Sequence, residues 1–335
     1  MNRREVLSLL AAGAVGCAFQ RPDASVRSVQ GRRTISPLPE RTMETYTYKT
    51  LGDVRIKADV YRAASGGAPR PVVMTIHGGA LIMGARYPIQ MDLFEPLLER
   101  GFVVVSIDYR LAPETKLPEI IKDIEDAYRW VRENGLELFG GDPNRIGVQG
   151  GSAGGYLTLM TGFRVHPPPK ALVSYYGYGD LIGDWYSRPD PFYCSQPAVS
   201  KETAYSAVGE GVPCGHPQGN RRHDFYLYCR QNGLWPKEVS GFDPLTQPDQ
   251  FKPYCPLQNI NRDYPPVLLA HGDKDTDVPY EQSVLMDAAL SRAGVEREFI
   301  TLNDAGHGFS HAQKEQYRGL LDRTISFLAR HLLDK

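Results

Sequence analysis

The sequence of 335 residues lacks the marks of several protein classes. Its 38 lysine and arginine residues nearly balance its 39 aspartate and glutamate residues, giving a formal net charge of −1. Without an excess of either charge, the chain shows no sign of a nucleic-acid partner. Beyond the N-terminus, no apolar stretch approaches the roughly 20 residues that span a bilayer. The sequence therefore predicts a globular protein, long enough for one large α/β domain with an insertion or for two modest domains.

The N-terminal residues 1–18 resemble an export signal. Two adjacent arginines precede an apolar run of small residues, 6–18, that is too short for a stable membrane span. The paired arginines resemble a twin-arginine signal, and residues 14–17 (AVGC) resemble a bacterial lipobox in which Cys17 is lipidated. Cleavage at the end of the run, which releases a soluble protein, is the alternative. We therefore expect an exported protein, either periplasmic or tethered to a membrane through Cys17.

Cysteine is scarce, with five residues in the chain, and none of them belongs to a C-x-x-C pair. Zinc sites built from cysteine usually contain such pairs, so we expect no metal site. Apart from Cys17, the cysteines are Cys194, Cys214, Cys229 and Cys255. Four cysteines in an exported protein suggest disulfide bonds, for which three pairings are possible. Free buried thiols are the alternative.

The middle of the chain alternates between strand and helix patterns. Residues 19–43 have no apolar periodicity and are predicted to form a flexible tether. From residue 44, an alternating pattern on both sides of Gly52-Asp53 predicts an antiparallel hairpin at a sheet edge. Strands are then predicted at 72–76, 102–107, 146–148, 171–175, 267–270 and 298–302, and helices at 91–100, 118–134, 156–162, 280–293 and 311–333. This alternation predicts a mostly parallel, doubly wound sheet with helices on both faces.

The alternation stops at residues 180–263, a segment rich in proline, glycine, tyrosine and tryptophan. A segment of this length without a regular period is an insertion with its own packing or a lid. We expect a cap over the strand ends, inserted into a catalytic domain made of residues 44–179 and 264–335. Its aromatic residues are expected to form the core of the cap, the alternative being a cleft for sugar or aryl groups; they are Trp185, Tyr186, Phe192, Tyr193, Phe225, Tyr226, Tyr228 and Trp235.

A candidate nucleophile lies in the sequence Gly150-Gly151-Ser152-Ala153-Gly154, between a predicted strand and a predicted helix. In G-x-S-x-G, small neighbours allow the serine to occupy a sharp strand-to-helix turn. Its hydroxyl then projects from the sheet edge at the positive end of the helix. A glycine-rich turn without chemistry is the alternative.

The partners that such a serine needs follow later strands. His307, between Gly306 and Gly308, comes directly after the last predicted strand and is the candidate base. The loop at 271–279 (HGDKDTDVP) offers three aspartates as the group that orients this base. The residues alone do not choose among the three, and at least two are expected to be surface or turn aspartates.

The loop His77-Gly78-Gly79-Ala80 follows the predicted strand 72–76 and suggests donors for an oxyanion. Glycines allow the backbone N–H groups of Gly78 or Gly79 to turn toward a ligand, and the N–H of Ala153 supplies a second donor. His77 is expected to be structural. Glycine-rich loop, Ser, Asp and His therefore occur in the chain order of the α/β-hydrolases, each after its own strand.

The sequence resembles the α/β-hydrolases of the esterase and lipase group, near the carbohydrate-esterase and prolyl-oligopeptidase-like branches. DYRLAPE at 108–114 and DPNRIG at 142–147 add to the resemblance. In that group the acid loop commonly reads H-G-x-x-D-x-x-V-P, which implies that Asp275 is the acid. The chain departs from the group at Ala80, where a third glycine is usual, and at Gly151, where His, Asp or Glu is usual.

The expected activity is ester hydrolysis by Ser152, His307 and Asp275 through an acyl-enzyme, with small-molecule or carbohydrate-linked esters as substrates. Such a reaction requires no metal or organic cofactor. One alternative is an exopeptidase of the prolyl-oligopeptidase type, disfavoured because no propeller-like repeats precede the domain. Another is a non-catalytic binding protein on a hydrolase scaffold, disfavoured because nucleophile and base are both present. The sequence predicts no particular oligomeric state.

Overall fold

The computed structural model of the protein describes residues 41–64, 67, 69–209, 211–215 and 221–333. The predicted export signal with Cys17, and residues 19–40 of the predicted tether, lie outside the described residues. The described strands are β1 (Arg41–Leu51), β2 (Val54–Ala63), β3 (Arg70–Ile76), β4 (Val103–Ile107), β5 (Gly141–Gly151), β6 (Ala171–Tyr175), β7 (Val267–Gly272) and β8 (Arg297–Leu302).

These strands form one sheet in the order β1-β2-β4-β3-β5-β6-β7-β8. The predicted hairpin is formed by β1 and β2, which pair antiparallel, and β2 also pairs antiparallel with β4. All pairings from β4 to β8 are parallel. Parallel strands end at the same edge of a sheet, so the loops after β3, β5, β7 and β8 meet there.

Helices cover both faces of the sheet, as the predicted fold class requires. They are α1 (Met91–Glu99), α2 (Leu117–Phe139), α3 (Ala153–Arg164), α4 (Asp184–Ser187), α5 (Pro191–Cys194), α6 (Lys201–Tyr205), α7 (Arg221–Asn232), α8 (Trp235–Ser240), α9 (Glu281–Arg292) and α10 (Lys314–Leu332). Short 3₁₀ turns lie at Pro248–Tyr254, Pro256–Gln258 and His307–Phe309. On one face, α2, α3 and α9 pack with the cap into one apolar core, and α1 and α10 form a second core on the other face. None of the described helices is long and apolar enough to cross a membrane.

Several predicted boundaries require correction. Helix α2 continues through Asn134-Gly135 and ends before Gly140, whose φ of 72° gives it the left-handed conformation that stops a helix. Gly135 fits inside the helix because the ring of Phe139 occupies the space beside it, where a Cβ would lie only 2.9 Å from the ring. Strand β1 begins at Arg41, so the last three residues of the predicted tether belong to the sheet.

The predicted cap consists of α4 to α8 and the two 3₁₀ turns before β7, and it belongs to one compact unit with the sheet. Its aromatic residues mostly form a core, as expected. Tyr186 and Trp235 are buried and stack with their ring centroids 4.0 Å apart. Phe192 is the exception, because it is 46% exposed, whereas Tyr193 and Tyr226 are buried in this core and also line the cavity above the sheet edge.

The expected disulfide bonds are absent: Cys194, Cys214, Cys229 and Cys255 are all free. Cys229 and Cys255 are completely buried and pack in the apolar core, where cysteine acts as a small hydrophobic side chain. Burial raises the pKa of the Cys255 thiol to about 12, which keeps it protonated. The alternative of free buried thiols is therefore correct for these two residues.

Candidate active site

Ser152 occupies the sharp turn between β5 and α3. Its φ of 57° and ψ of −124° are unusual for a residue with a side chain, as expected of a strained nucleophile turn. The turn is held from both sides, because the Ser152 N–H donates to Tyr175 O at 2.9 Å and its carbonyl accepts from the Tyr156 N–H at 3.0 Å. The hydroxyl therefore projects at the N-terminus of α3.

The glycines around Ser152 are required by close backbone contacts. A Cβ on Gly150 would collide with the backbone of Gly154, and a Cβ on Gly154 with the carbonyl of Ile76. Gly151, at which the chain departs from the group that it resembles, has a separate reason. A Cβ there would lie 2.7 Å from Oη of Tyr176, so the Tyr176 ring occupies the space that a side chain would need.

Three predicted residues from three loops form one hydrogen-bonded series. Ser152 Oγ lies 3.1 Å from Nε2 of His307, and Nδ1 of His307 lies 2.7 Å from Oδ2 of Asp275. With Nδ1 protonated and donating to the carboxylate, Nε2 is free to accept the serine proton. Tyr176 packs edge-on against the imidazole, with the ring centroids 4.8 Å apart.

Asp275 is fully enclosed and accepts four hydrogen bonds. Its Oδ1 accepts from the backbone N–H groups of Asp277 and Val278, and its Oδ2 accepts from His307 and from Nε2 of His271 at 3.2 Å. Burial tends to raise the pKa of Asp275, but the hydrogen bonds from His271 and His307 outweigh it and hold the pKa well below its usual range. The carboxylate is therefore ionised, and its orientation is fixed.

His271 is a residue that the sequence did not single out. Its ring is completely buried, with Nδ1 2.7 Å from Oγ of Ser283. Because Asp275 and the Val278 carbonyl both accept near Nε2, that nitrogen carries the proton. His271 thus helps to position Asp275 by donating to Oδ2, the same oxygen that His307 contacts. The position of a histidine at the end of a buried strand, four residues before the acid, is the available sequence signal.

The other two aspartates of the loop differ from one another. Asp273 is a turn residue that accepts from the Asp304 backbone N–H at 2.7 Å, as expected. Asp277 departs from the expectation of a surface or turn aspartate, because its Oδ2 lies 3.4 Å from Nε2 of His307 and it lines the cavity. Burial tends to lower the pKa of His307, but the hydrogen bond to Asp275 and the charges of Asp277 and Asp275 raise it above its ordinary value.

The carboxylate of Asp277 is held by the cap. Tyr193 Oη donates to Oδ1 at 2.8 Å, Tyr226 Oη donates to the same oxygen, and Arg230 forms an ion pair with it at 2.8 Å. The Arg230 guanidinium is almost fully buried, lies over the Tyr193 ring and pairs also with Asp190. Since these partners come from distant cap positions with no common motif, the sequence carries no signal for this cluster.

The predicted oxyanion loop lies directly against the nucleophile. A Cβ on Gly78 would approach Cβ of Ser152 to 3.3 Å and the Gly151 carbonyl to 2.8 Å, so only glycine fits there. Gly79 has a φ of 107°, which favours glycine as well. Ala153 is the first residue of α3, and N–H groups in a first helical turn have no acceptor within the helix. Backbone donors are thus available on two sides of the Ser152 hydroxyl.

The cap also braces the oxyanion loop. Trp235 Nε1 donates to the carbonyl of Ala80 at 3.0 Å, and Nε of Arg222 donates to the carbonyl of Ile82 at 2.6 Å. Ala80 has a φ of 54°, so these contacts fix a loop whose backbone is strained. His77 is structural, as expected, since its ring stacks on Tyr109 at 4.2 Å.

A cavity of about 530 Å³ opens between the sheet edge and the cap and contains the Ser152 hydroxyl. Its walls come from the oxyanion loop, from Tyr175 at the end of β6 and Tyr176 directly after it, and from Tyr193 and Tyr226 of the cap. Among the described residues, no group of three or more histidine, cysteine, aspartate or glutamate side chains is arranged to hold a metal ion. The hydroxyl, imidazole and carboxylate that meet at this cavity are the groups that acyl transfer uses.

Two family models match separate parts of the chain. A model named BD-FAE matches residues 58–168, which include the oxyanion loop and Ser152. A model described as the prolyl oligopeptidase family matches residues 225–335, which include Asp275 and His307. An alpha/beta hydrolase superfamily protein from Enterococcus faecalis superimposes with a TM-score of 0.67 at 23% identity, covering 86% of this chain and 99% of that one. The chain has the α/β-hydrolase fold.

Curated relatives support the predicted relationship to serine esterases. Esterase LipC of Mycobacterium tuberculosis is 30% identical over 254 residues, covering 72% of this chain and 53% of LipC. Non-reducing polyketide synthase Preu6 of Preussia isomera is 28% identical over 313 residues, covering 84% of this chain and 14% of the synthase. The chain thus spans about half of the first relative and a small part of the second. The resemblance to α/β-hydrolase esterases is confirmed.

Proposed function

We propose that the protein is an exported serine carboxylesterase that acts on small or carbohydrate-linked esters. The observation that carries the proposal is the continuous hydrogen-bonded series from Ser152 through His307 to Asp275, which opens into a cavity flanked by backbone donors. The similarity to an esterase such as LipC supports the ester as the substrate class. The export signal proposed for residues 1–18, with lipidation at Cys17 as one outcome, gives such an enzyme access to esters outside the cytoplasm.

The reaction has two steps. In the first, Ser152 Oγ attacks the ester carbonyl while Nε2 of His307 takes the hydroxyl proton, and Asp275 stabilises the imidazolium that results. The N–H groups of Ala153 and of Gly78 or Gly79 bind the oxyanion, and one such donor is typically worth about 2.7–4 kcal/mol in the transition state. The imidazolium then gives its proton to the leaving alcohol. Water repeats the sequence on the acyl-enzyme and releases the acid.

The test is the replacement of the nucleophile. Ser152→Ala is expected to lower kcat for p-nitrophenyl acetate by about a million-fold, because the triad acts as a unit. The variant is expected to keep the thermal melting temperature of the wild type within a few degrees. Covalent labelling by a fluorophosphonate probe is expected in the wild type and not in the variant. Hydrolysis by Ser152→Ala at the wild-type rate would remove Ser152 from the mechanism.

A second activity is favoured by the match of residues 225–335 to the prolyl oligopeptidase family. An exopeptidase would use the same three residues on an amide instead of an ester. Aminoacyl-arylamides and p-nitrophenyl esters with the same acyl group separate the two activities. We expect kcat/KM for the ester to exceed that for the arylamide, with both lost in Ser152→Ala.

Export and lipidation have their own test. Expression of the full chain in a bacterial host with radiolabelled palmitate is expected to label the wild type and not Cys17→Ser. Absence of label, with the protein recovered in the periplasm, would favour simple cleavage of the signal.

A further inference from the structure

A row of polar side chains crosses the buried face of the sheet next to the active site. Asp59 on β2, Ser106 on β4, Thr75 on β3 and Gln149 on β5 are register partners of one another on consecutive strands. Their exposed fractions are between 3% and 8%. Neighbouring rows on this face are apolar, and the same row continues with Val173 on β6. Polar groups in a core are costly unless they are hydrogen-bonded, so this row requires an explanation.

The Gln149 amide ends this row and is only half satisfied. Its Oε1 accepts a hydrogen bond from Oγ1 of Thr75 at 2.8 Å. No described residue accepts a hydrogen bond from its Nε2, although the side chain is 96% buried, being 4% exposed. Gln149, Thr75 and Ser106 all line the cavity that contains Ser152. The Nε2 donors border the cavity and have no acceptor among the described residues, so they are available to a ligand group that supplies one.

Gln149, Thr75 and Ser106 together form a polar floor of the cavity. The position of this floor assigns it to the acyl side of an ester. The leaving alcohol must lie near Nε2 of His307 to receive its proton. That side of the imidazole is occupied by Asp277, whose carboxylate accepts hydrogen bonds from the cap residues Tyr193 and Tyr226. The floor lies on the sheet itself. Its residue Gln149 is three residues before Ser152, which corresponds to about 10 Å along an extended strand. An acyl chain of medium length attached to Ser152 can reach it.

The floor suits a neutral hydroxyl. The nearby Arg86 is already paired with Asp59 at 2.9 Å and with Asp108, so it offers no net positive charge to a carboxylate. Ser106 Oγ donates to the Arg86 carbonyl at 2.6 Å and keeps its own lone pairs for a ligand. A hydroxyl can accept from Gln149 Nε2 and donate to a serine or threonine oxygen at once.

From this geometry we infer that the cavity contains an acyl subsite, with Gln149, Thr75 and Ser106 as its floor, that selects acyl groups carrying a hydroxyl at the far end. The inference rests on the proposed esterase function. The apolar walls of the subsite, Phe94 and Ile89, enclose the chain of the acyl group, and the floor hydrogen-bonds its end.

The test compares two esters with one leaving group, p-nitrophenyl hexanoate and p-nitrophenyl 6-hydroxyhexanoate. The wild type is expected to show a kcat/KM about tenfold higher for the hydroxy ester, the effect of one buried hydrogen bond. Gln149→Met keeps the length of the side chain and removes the amide, and it is expected to prefer the hexanoate. Thr75→Val, which removes the hydrogen bond that orients the amide, is expected to reduce the preference.

Thr45→Val is the matched control for Thr75→Val. Thr45 continues the row on β1 and donates to Asp59 at 2.6 Å, but it lies outside the cavity. This control is expected to keep the wild-type preference.

The outcomes separate the subsite from the activity. Hydrolysis of p-nitrophenyl acetate, whose acyl group is too short to reach the floor, tests the esterase function alone. If the wild type hydrolyses the acetate but turns over the hexanoate as well as the hydroxy ester, the subsite is wrong and the function stands. A preference for the hydroxy ester that persists in Gln149→Met also overturns the subsite. If none of the three esters is hydrolysed, the proposed function itself fails.

Discussion

The loops at the carboxyl edge of the sheet and the cap face the same cavity, but the sequence specifies them in different ways. At the sheet edge, each functional residue follows a strand and is constrained by its neighbours within a few positions, as Ser152 is by Gly150 and Gly154. In the cap, Arg230 acts through partners at positions 190, 193, 226 and 277. The first region carries chemistry that local backbone geometry dictates. The second supplies long-range contacts that hold this chemistry in place.

The largest expected effect separates the two aspartates that approach His307. Asp275→Asn presents an amide to Nδ1 of His307, which favours the wrong tautomer, and is expected to lower kcat by about ten-thousand-fold. Asp277→Asn removes a charge that does not orient the ring and is expected to lower kcat far less. Steady-state kinetics with p-nitrophenyl acetate measure both. A greater loss in Asp277→Asn than in Asp275→Asn would transfer the role of the acid to the cap-bound carboxylate.

The next effect tests the cap. Arg230→Met removes a buried guanidinium and leaves the partly buried carboxylates of Asp190 and Asp277 without their cation, so we expect a loss of about 3–5 kcal/mol in the free energy of unfolding. Urea denaturation followed by fluorescence measures this loss. Arg188→Met is the matched control, because Arg188 pairs with Asp184 on the surface and is expected to cause no measurable change. Equal stability of the two variants would mean that the cap cluster is not a structural centre.

A smaller effect is expected within the sheet edge itself, where Gly151 at the end of β5 meets Tyr176 after β6. Gly151→Ala places a methyl group 2.7 Å from Oη of Tyr176, and we expect a loss of about 1–3 kcal/mol in the free energy of unfolding from overpacking. Gly319→Ala, in a position of α10 with open space, is expected to stabilise the protein by about 0.5–1 kcal/mol. Tyr176→Ala is expected to relieve the cost of Gly151→Ala in a double-mutant cycle. Additive losses would show that the two side chains do not compete for space.

The same division explains how much could be predicted from the sequence. The chain order of the motifs, each of which follows a predicted strand, predicted the sheet. It also predicted that Ser152, Asp275 and His307 meet at one edge of that sheet. The helix end at Asn134-Gly135 was wrong, because a glycine in a helix is tolerated when a ring such as that of Phe139 takes its space. The expectation of disulfide bonds was wrong, because buried cysteines also serve as apolar side chains. Asp277 and Gln149 were missed, because their roles depend on partners that are remote in sequence.

The smallest expected effect, a shift in the pH profile, tests whether the cap acts on the chemistry of the sheet edge. Since His307 must be neutral to accept the serine proton and its pKa is raised, activity is expected to rise with pH through a midpoint above the ordinary histidine value of about 6.5. Asp277 contributes to this increase through its negative charge at 3.4 Å. Asp277→Asn is therefore expected to move the midpoint of kcat/KM toward lower pH.

Asp273→Asn is the matched control, because Asp273 lies in the same loop and accepts from the backbone of Asp304 instead of approaching the imidazole. Its pH profile is expected to coincide with that of the wild type. A midpoint that stays in place in Asp277→Asn would mean that solvent in the cavity screens the carboxylate from His307. The cap would then shape the cavity without adjusting the base. A shift confined to Asp277→Asn would instead show that a residue held by Arg230, Tyr193 and Tyr226 sets the pH at which the catalytic edge becomes active.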